Sequence, residues 1–140
     1  MYNELEVINL ATITITNSMK TVLSKQRLLN KALLLIADDG GGQYSLHGGA
    51  CTIGANFTIV VLDQPDAHYS VPLNNDAGIN LFTSGYDLNF LEAGLKLNYQ
   101  NNSIILSDDA ELLDSTVQIT KGADVIKAFK SGMTPLDYGC

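Results

Sequence analysis

Two short, nearly uninterrupted apolar runs, Ala32–Ala37 and the stretch over 57–63, constrain this chain more than any other feature. Each is too short for a packed helix, and the second carries Val60, Val61 and Leu62, so both suit buried strands. Asp38-Asp39-Gly40-Gly41-Gly42 ends the first run as a turn, and Gln64, Pro65 and Asp66 stop the second. A glycine-rich segment, 48–56, lies between them.

Shorter elements are expected on either side of this pair. Residues 7–14 form a candidate strand. Thr16, Asn17 and Ser18 offer N-cap oxygens, and Met19, Val22, Leu23 and the Leu28/Leu29 pair give an approximate helical stripe, which predicts an amphipathic helix over 17–30. Further strands are expected at 69–73 and 79–83. Ser84-Gly85-Tyr86-Asp87 then has the pattern of a helix N-cap, with Leu88, Phe90, Leu91 and Leu95 as one short apolar face. The alternating stretches 95–99 and 103–106 flank Gln100-Asn101-Asn102, and asparagine tolerates the positive φ of a tight turn, so a hairpin is predicted. Residues 108–114 read as a turn before a strand at 116–119. Val125, Ile126 and Phe129, between Gly122 and Gly132, read as a short helix, and 134–140 as a tail.

A chain of 140 residues with no internal repeat, low-complexity tract or linker reads as one domain over 1–140, able to bury a core without disulfides or a structural metal. The hydrophobic fraction of 46% against 16% charged residues excludes a disordered chain. Fifteen acidic residues against eight basic ones leave a formal charge of -7, which repels phosphate backbones and anionic lipids. No nucleic-acid or membrane role is therefore expected. Residues 1–11 lack the basic start and apolar run of a signal peptide, and no apolar stretch approaches the roughly 20 residues of a membrane span. The expectation is a cytoplasmic protein whose cysteines, Cys51 and Cys140, are free thiols or ligands rather than a disulfide.

The candidate chemistry concentrates in Gly48-Gly49-Ala50-Cys51-Thr52-Ile53-Gly54, where small residues around a thiol allow backbone to approach a bound atom closely. Thiolates are the usual protein ligands of iron-sulphur clusters. The bland alternative is a glycine-rich turn with an inert, buried cysteine, since free Cys behaves as a small hydrophobe. His47, four positions before Cys51, can serve as co-ligand or as base to a thiol nucleophile. His68 reads as exposed loop. No HExxH or Cys-x-x-Cys spacing occurs, and the glycine runs fit neither a calcium loop nor a nucleotide-binding loop. Asp108, Asp109, Glu111 and Asp114 read as a solvated loop face rather than catalytic carboxylates.

The order of these pieces resembles the HesB-like (A-type) iron-sulphur cluster biosynthesis family. The lead Ile13-Thr14-Ile15-Thr16 is followed by a helix, an apolar strand and Gly48-Gly49-Ala50-Cys51-Thr52, where the family carries a Gly-Gly-Cys-Ser/Thr-Gly-like motif. The later run Gly78-Ile79-Asn80-Leu81-Phe82-Thr83-Ser84, then Tyr86-Asp87-Leu88-Asn89-Phe90-Leu91 and Leu95-Lys96-Leu97-Asn98-Tyr99, is similar to the family's strand, short helix and hairpin start. The likeness spans about 13–119, leaving 120–140 as an added C-terminal segment. In that family the cysteine of the first motif joins two from a C-terminal Cys-Gly-Cys-Gly element to hold iron or a cluster, usually across a homodimer. Here that element is absent, with Ser107-Asp108-Asp109-Ala110-Glu111 in its place, and Cys140 follows some thirty residues later.

The resemblance implies a mainly β (α+β) fold, a β-sandwich or pseudo-barrel with an N-terminal helix and one or two short helices. It implies a non-enzymatic carrier or scaffold for an iron-sulphur cluster or iron, with Cys51 as ligand and Cys140 and His47 as further candidate ligands. Its partners would be a second copy of the chain and assembly or recipient proteins. Two other functions stay open: a cluster-free binding or regulatory module on the same scaffold, and a thiol-dependent enzyme using Cys51 and His47.

Overall fold

A computed structural model describes residues 11–37, Tyr44 and residues 56–130, the last four as backbone only. The described residues form nine strands in two sheets. In chain order these are β1 (Thr14–Ile15), α1 (Asn17–Lys25), β2 (Ala32–Ala37), β3 (Phe57–Leu62), β4 (Val71–Pro72), β5 (Asn80–Thr83), a 3₁₀ turn (Asp87–Phe90), β6 (Lys96–Gln100), β7 (Ser103–Ser107), β8 (Leu112–Asp114), β9 (Gln118–Lys121) and α2 (Gly122–Lys130). The larger sheet has the order β4-β5-β2-β3-β9 and the smaller β1-β6-β7-β8. The fold is thus mainly β with a few short helices, a pair of mixed sheets rather than a closed barrel.

β2 and β3 are apolar throughout because both of their faces are covered. They pair antiparallel from Ala32↔Leu62 to Ala37↔Phe57, with β5 parallel to β2 on one flank and β9 parallel to β3 on the other. Side chains alternate across a strand. Leu33, Leu35, Phe57 and Ile59 therefore face the main core, which Leu97 and Leu106 of the smaller sheet and Met19 and Leu23 of α1 complete. Leu34, Ile36, Val60 and Leu62 face the other way into a second cluster with Tyr44, against which Ile126 of α2 packs. Thr58, on the face of β3 that bears Val60, and Thr83, on the face of β5 that bears Leu81, are also buried, and the Thr83 hydroxyl donates to the Leu35 carbonyl at 2.7 Å.

The predicted elements are recovered with definite corrections. α1 begins where expected, with the Thr16 hydroxyl accepting from the Met19 N–H at 3.3 Å, but it ends at Lys25 rather than at 30. The stop is a Schellman motif: the N–H of Leu28 bonds the Leu23 carbonyl and that of Arg27 bonds the Ser24 carbonyl, with Arg27 at φ 60°. Leu23 and Leu28 are both buried in the main core and supply the motif's apolar contact. The strand expected over 7–14 is seen as β1 and a bridge at Thr12↔Asn74, its earlier part lying outside the described residues. The hairpin closes as predicted on Asn101 and Asn102, both at positive φ. The helix expected after Tyr86 is a single 3₁₀ turn, from whose apolar set Phe90 is exposed and Leu95 belongs to the next segment. A strand, β8, occupies part of the segment read as a turn. The tail at 134–140 lies outside the described residues.

Candidate functional site

The site suggested by the sequence sits on the connection from β2 to β3, residues 38–56, which leaves the larger sheet at Ala37 and returns at Phe57. These two residues are register partners, so the connection starts and ends on adjacent strands. Cys51 and His47 belong to this connection and lie outside the described residues, as does Cys140. What the structure describes is the frame that holds the connection.

Two buried aspartates dominate that frame. The Ala37 N–H donates to Oδ1 of Asp87 at 3.0 Å, and the Phe57 N–H donates to Oδ2 of Asp114 at 2.8 Å. Asp87 and Asp114 are only 4% and 8% exposed. Both amides being used in this way, Ala37 and Phe57 form a non-hydrogen-bonded pair whose N–H groups point to opposite flanks of the hairpin. On those flanks the neighbouring ladders have run out. The last registered pair of β2 with β5 is Leu34↔Phe82, and the first of β3 with β9 is Thr58↔Gln118. A buried backbone N–H needs an acceptor, and here a carboxylate supplies what a strand carbonyl would.

Each aspartate is itself fixed by a local turn through its other oxygen. The Ser84 hydroxyl donates to Oδ2 of Asp87 and accepts from the Asp87 N–H at 3.1 Å, a reciprocal cap of the 3₁₀ turn. Oδ1 of Asp114 accepts from the Thr116 N–H at 2.8 Å and from its hydroxyl at 3.3 Å. Asp87 was thus visible in the sequence as a capping residue, but its bond to Ala37, fifty positions away, was not. The reading of Asp114 as part of a solvated loop face is wrong: it is buried because Phe57 and Thr116 both use it. Asp109 and Glu111 of that set are exposed, as is His68.

Apart from Asn56 at its end, Tyr44 is the one described residue inside the connection. Its ring is buried in the second cluster and meets Tyr69 edge-on at 5.5 Å, and its hydroxyl donates to Oδ2 of Asp66 at 2.8 Å. Gly122, the first residue of α2, leaves room for this ring. A Cβ there would lie 2.7 Å from Cδ2 of Leu62 and 3.1 Å from Cε1 of Tyr44. An aromatic residue in a glycine-rich stretch was the available signal for this anchor.

The described residues contain no group of three or more His, Cys, Asp or Glu placed to hold a metal ion. The segment standing where a Cys-Gly-Cys element would follow the hairpin is a plain turn between β7 and β8. Oδ1 of Asp108 accepts from the N–H groups of Ala110 and Glu111 at 2.8 and 2.9 Å, while the Asp108 N–H bonds the Glu111 carbonyl. No helix of the described residues is long and apolar enough to cross a membrane.

Residues 11–121 match the model of the family described as iron-sulphur cluster biosynthesis. The structure is similar to that of a Lactobacillus acidophilus protein provisionally described as an Fe-S biosynthesis protein, with a TM-score of 0.77 and 35% identity over 87% of this chain and 99% of that one. A protein from Lactobacillus salivarius, provisionally described in the same way and as having a novel protein fold, gives a TM-score of 0.61 at 23% identity, over 79% of this chain and 97% of that one. At that identity the likeness is one of fold. No match is found among curated proteins.

Proposed function

The chain belongs to the iron-sulphur cluster biosynthesis family, and from that premise we propose that it is a non-catalytic, cytoplasmic carrier or scaffold of the A-type kind, with an iron-sulphur cluster or iron as its cargo and Cys51 as a ligand. The observation that carries this reading is the extent of the family match, which runs through residues 11–121 and so takes in Cys51 and the whole β2–β3 connection. Thiolate is the ordinary protein ligand for such cargo, and neighbouring backbone N–H groups stabilise it. Cys51 is the single cysteine within the matched residues. A cluster generally takes four thiolate or equivalent ligands, so the shell is completed by a second copy of the chain together with Cys140, His47 or an external thiol. Assembly and recipient proteins are its partners.

Anaerobic reconstitution with ferrous iron and sulfide tests this directly. The expected outcome is a visible charge-transfer absorbance that Cys51→Ser abolishes; absence of the band, or its persistence in the variant, would contradict the proposal.

A second reading has one specific observation in its favour. The place of the missing Cys-Gly-Cys element is filled by the Asp108-closed turn, which offers no thiol. On that reading the chain is a cluster-free binding or regulatory module. It predicts a colourless protein under the same reconstitution, with native stability unaffected by chelators.

A further inference from the structure

We propose that the open edge of β1 is a binding site for a free, zwitterionic peptide of about two residues, held by the main chain of Ile13 and Ile15 and by the side chains of Lys20 and Asp76. The site does not rest on the reading of Cys51 as a ligand. Its basis is a ladder that stops early. Residues 11–16 point their peptide groups alternately to two sides. Thr14 and Thr16 donate to the carbonyls of Leu95 and Leu97, whereas Ile13 donates to the Asn74 carbonyl and Ala11 accepts from the Asn74 N–H, all at 2.8–3.1 Å. Two positions further along a parallel partner, one residue would donate to the Ile13 carbonyl and accept from the Ile15 N–H. No described residue does so. Asn75 turns the chain away at that point: its Oδ1 accepts from the N–H groups of Ala77 and Ile79, and its Nδ2 donates to the carbonyls of Leu73 and Ile79. Ile13 and Ile15 are only 4% and 8% exposed, and a main-chain acceptor and donor so placed require partners.

The edge lines a cleft of about 380 Å³, bounded by residues 12–15, 74–77 and 94–95 and by Lys20. That volume lies at the low end for small-ligand pockets. The order of acceptor and donor selects what fills it. An amide N–H for the Ile13 carbonyl, followed on the same residue by an oxygen for the Ile15 N–H, is the backbone of one extended residue running parallel to β1. Such a ligand points its C-terminal end toward α1, which supplies Lys20, and its N-terminal end toward the 74–77 turn, which supplies Asp76. Neither side chain has an ion-pair partner among the described residues. Asn74 fills the preceding ladder position, so the ligand cannot run further along the edge in that direction. It ends there in an ammonium group that suits Asp76. At its other end one carboxylate oxygen accepts from the Ile15 N–H and the second meets Lys20, as charge-assisted bonds. A free dipeptide satisfies all four groups, whereas the C-terminus of a protein, having no ammonium group nearby, satisfies three.

The test titrates the isotope-labelled full chain with alanylalanine and follows its amide resonances by NMR. The expected result is a saturable shift centred on the Ile15 N–H, with a Kd of about 1 mM, the scale for a ligand this small. Alanylalanine amide lacks the carboxylate, N-acetyl-alanylalanine lacks the ammonium group, and alanyl-N-methylalanine lacks the donor for Ile13. Each should bind about tenfold more weakly, the scale of losing one such bond. Lys20→Ala should abolish the preference for alanylalanine over its amide and keep that over the acetylated form; Asp76→Asn should do the reverse. The ligand series needs no substitution, so it stands even where a variant fails to fold. No shift at Ile15 at about tenfold the expected Kd, equal binding of all four ligands, or shifts centred away from β1 would overturn the proposal. An acetylated dipeptide that binds as well as the free one would make a protein C-terminus the occupant and overturn the assignment to a free peptide. Because no metal or thiol enters these measurements, their outcome and that of the cluster-carrier reading are independent.

Discussion

The two ends of the β2–β3 pair are held by opposite kinds of electrostatics. At the end where Ala32 meets Leu62, the flanking residues Lys31 and Asp63 form an ion pair at 3.6 Å with side chains 46% and 84% exposed. Water and salt screen such a pair, and the long lysine side chain loses entropy when held in it. At the other end, Ala37 and Phe57 are held by carboxylates that are almost wholly buried and that each carry further hydrogen bonds. Here no water competes, and the loss of either acceptor strands a buried amide. The contrast shows where the fold has invested order. The end facing the short exit to 64–66 is left to solvent, whereas the end bearing the long cysteine-containing connection is fixed from both flanks.

The largest expected effect calibrates the comparison from the core between the two ends. Leu35, in the middle of β2, is fully buried, so Leu35→Ala should destabilise the protein by about 2–5 kcal/mol in urea titration. A smaller loss would mean that the main core rearranges around β2. Next comes the buried end: Asp114→Ala should cost about 1–3 kcal/mol by the same titration, with Asp114→Asn recovering only part of it, because its one amide oxygen can accept from Phe57 or from Thr116 but not from both. The smallest effect belongs to the exposed end. Asp63→Asn should stay within about 0.5 kcal/mol and shrink further at high salt. Equal losses at Asp63 and Asp114 would erase the distinction between the two ends.

Much of the scaffold was legible in the sequence because local chemistry decided it. The apolar runs marked β2 and β3, paired asparagines fixed the hairpin turn, and Thr16 marked the start of α1. The end of α1 was misread because the stop uses Arg27 in a left-handed conformation, where glycine is the usual signal. β8 was missed because three residues of an edge strand carry too little alternation to register. The bonds from Asp87 and Asp114 to the strand ends could not be read from sequence at all. Asp87 and Asp114 look like turn residues, and turn chemistry accounts for only one oxygen of each; the other is committed across 50 and 57 positions of chain. Tyr44 and Gly122 are another such pair, brought together across the outer face of the sheet. Cys51, His47 and Cys140, by contrast, were proposed from residue chemistry and family likeness alone, and all three lie outside the described residues.

The central claim is that Cys51, on the β2–β3 connection, binds iron-sulphur cargo, and the iron and acid-labile sulfide content of protein purified without oxygen tests it most directly. The account predicts that iron and sulfide copurify in comparable amounts with the unaltered chain and are both lost from Cys51→Ser. Protein that emerges free of iron and sulfide, or a Cys51→Ser variant that retains them, would contradict it.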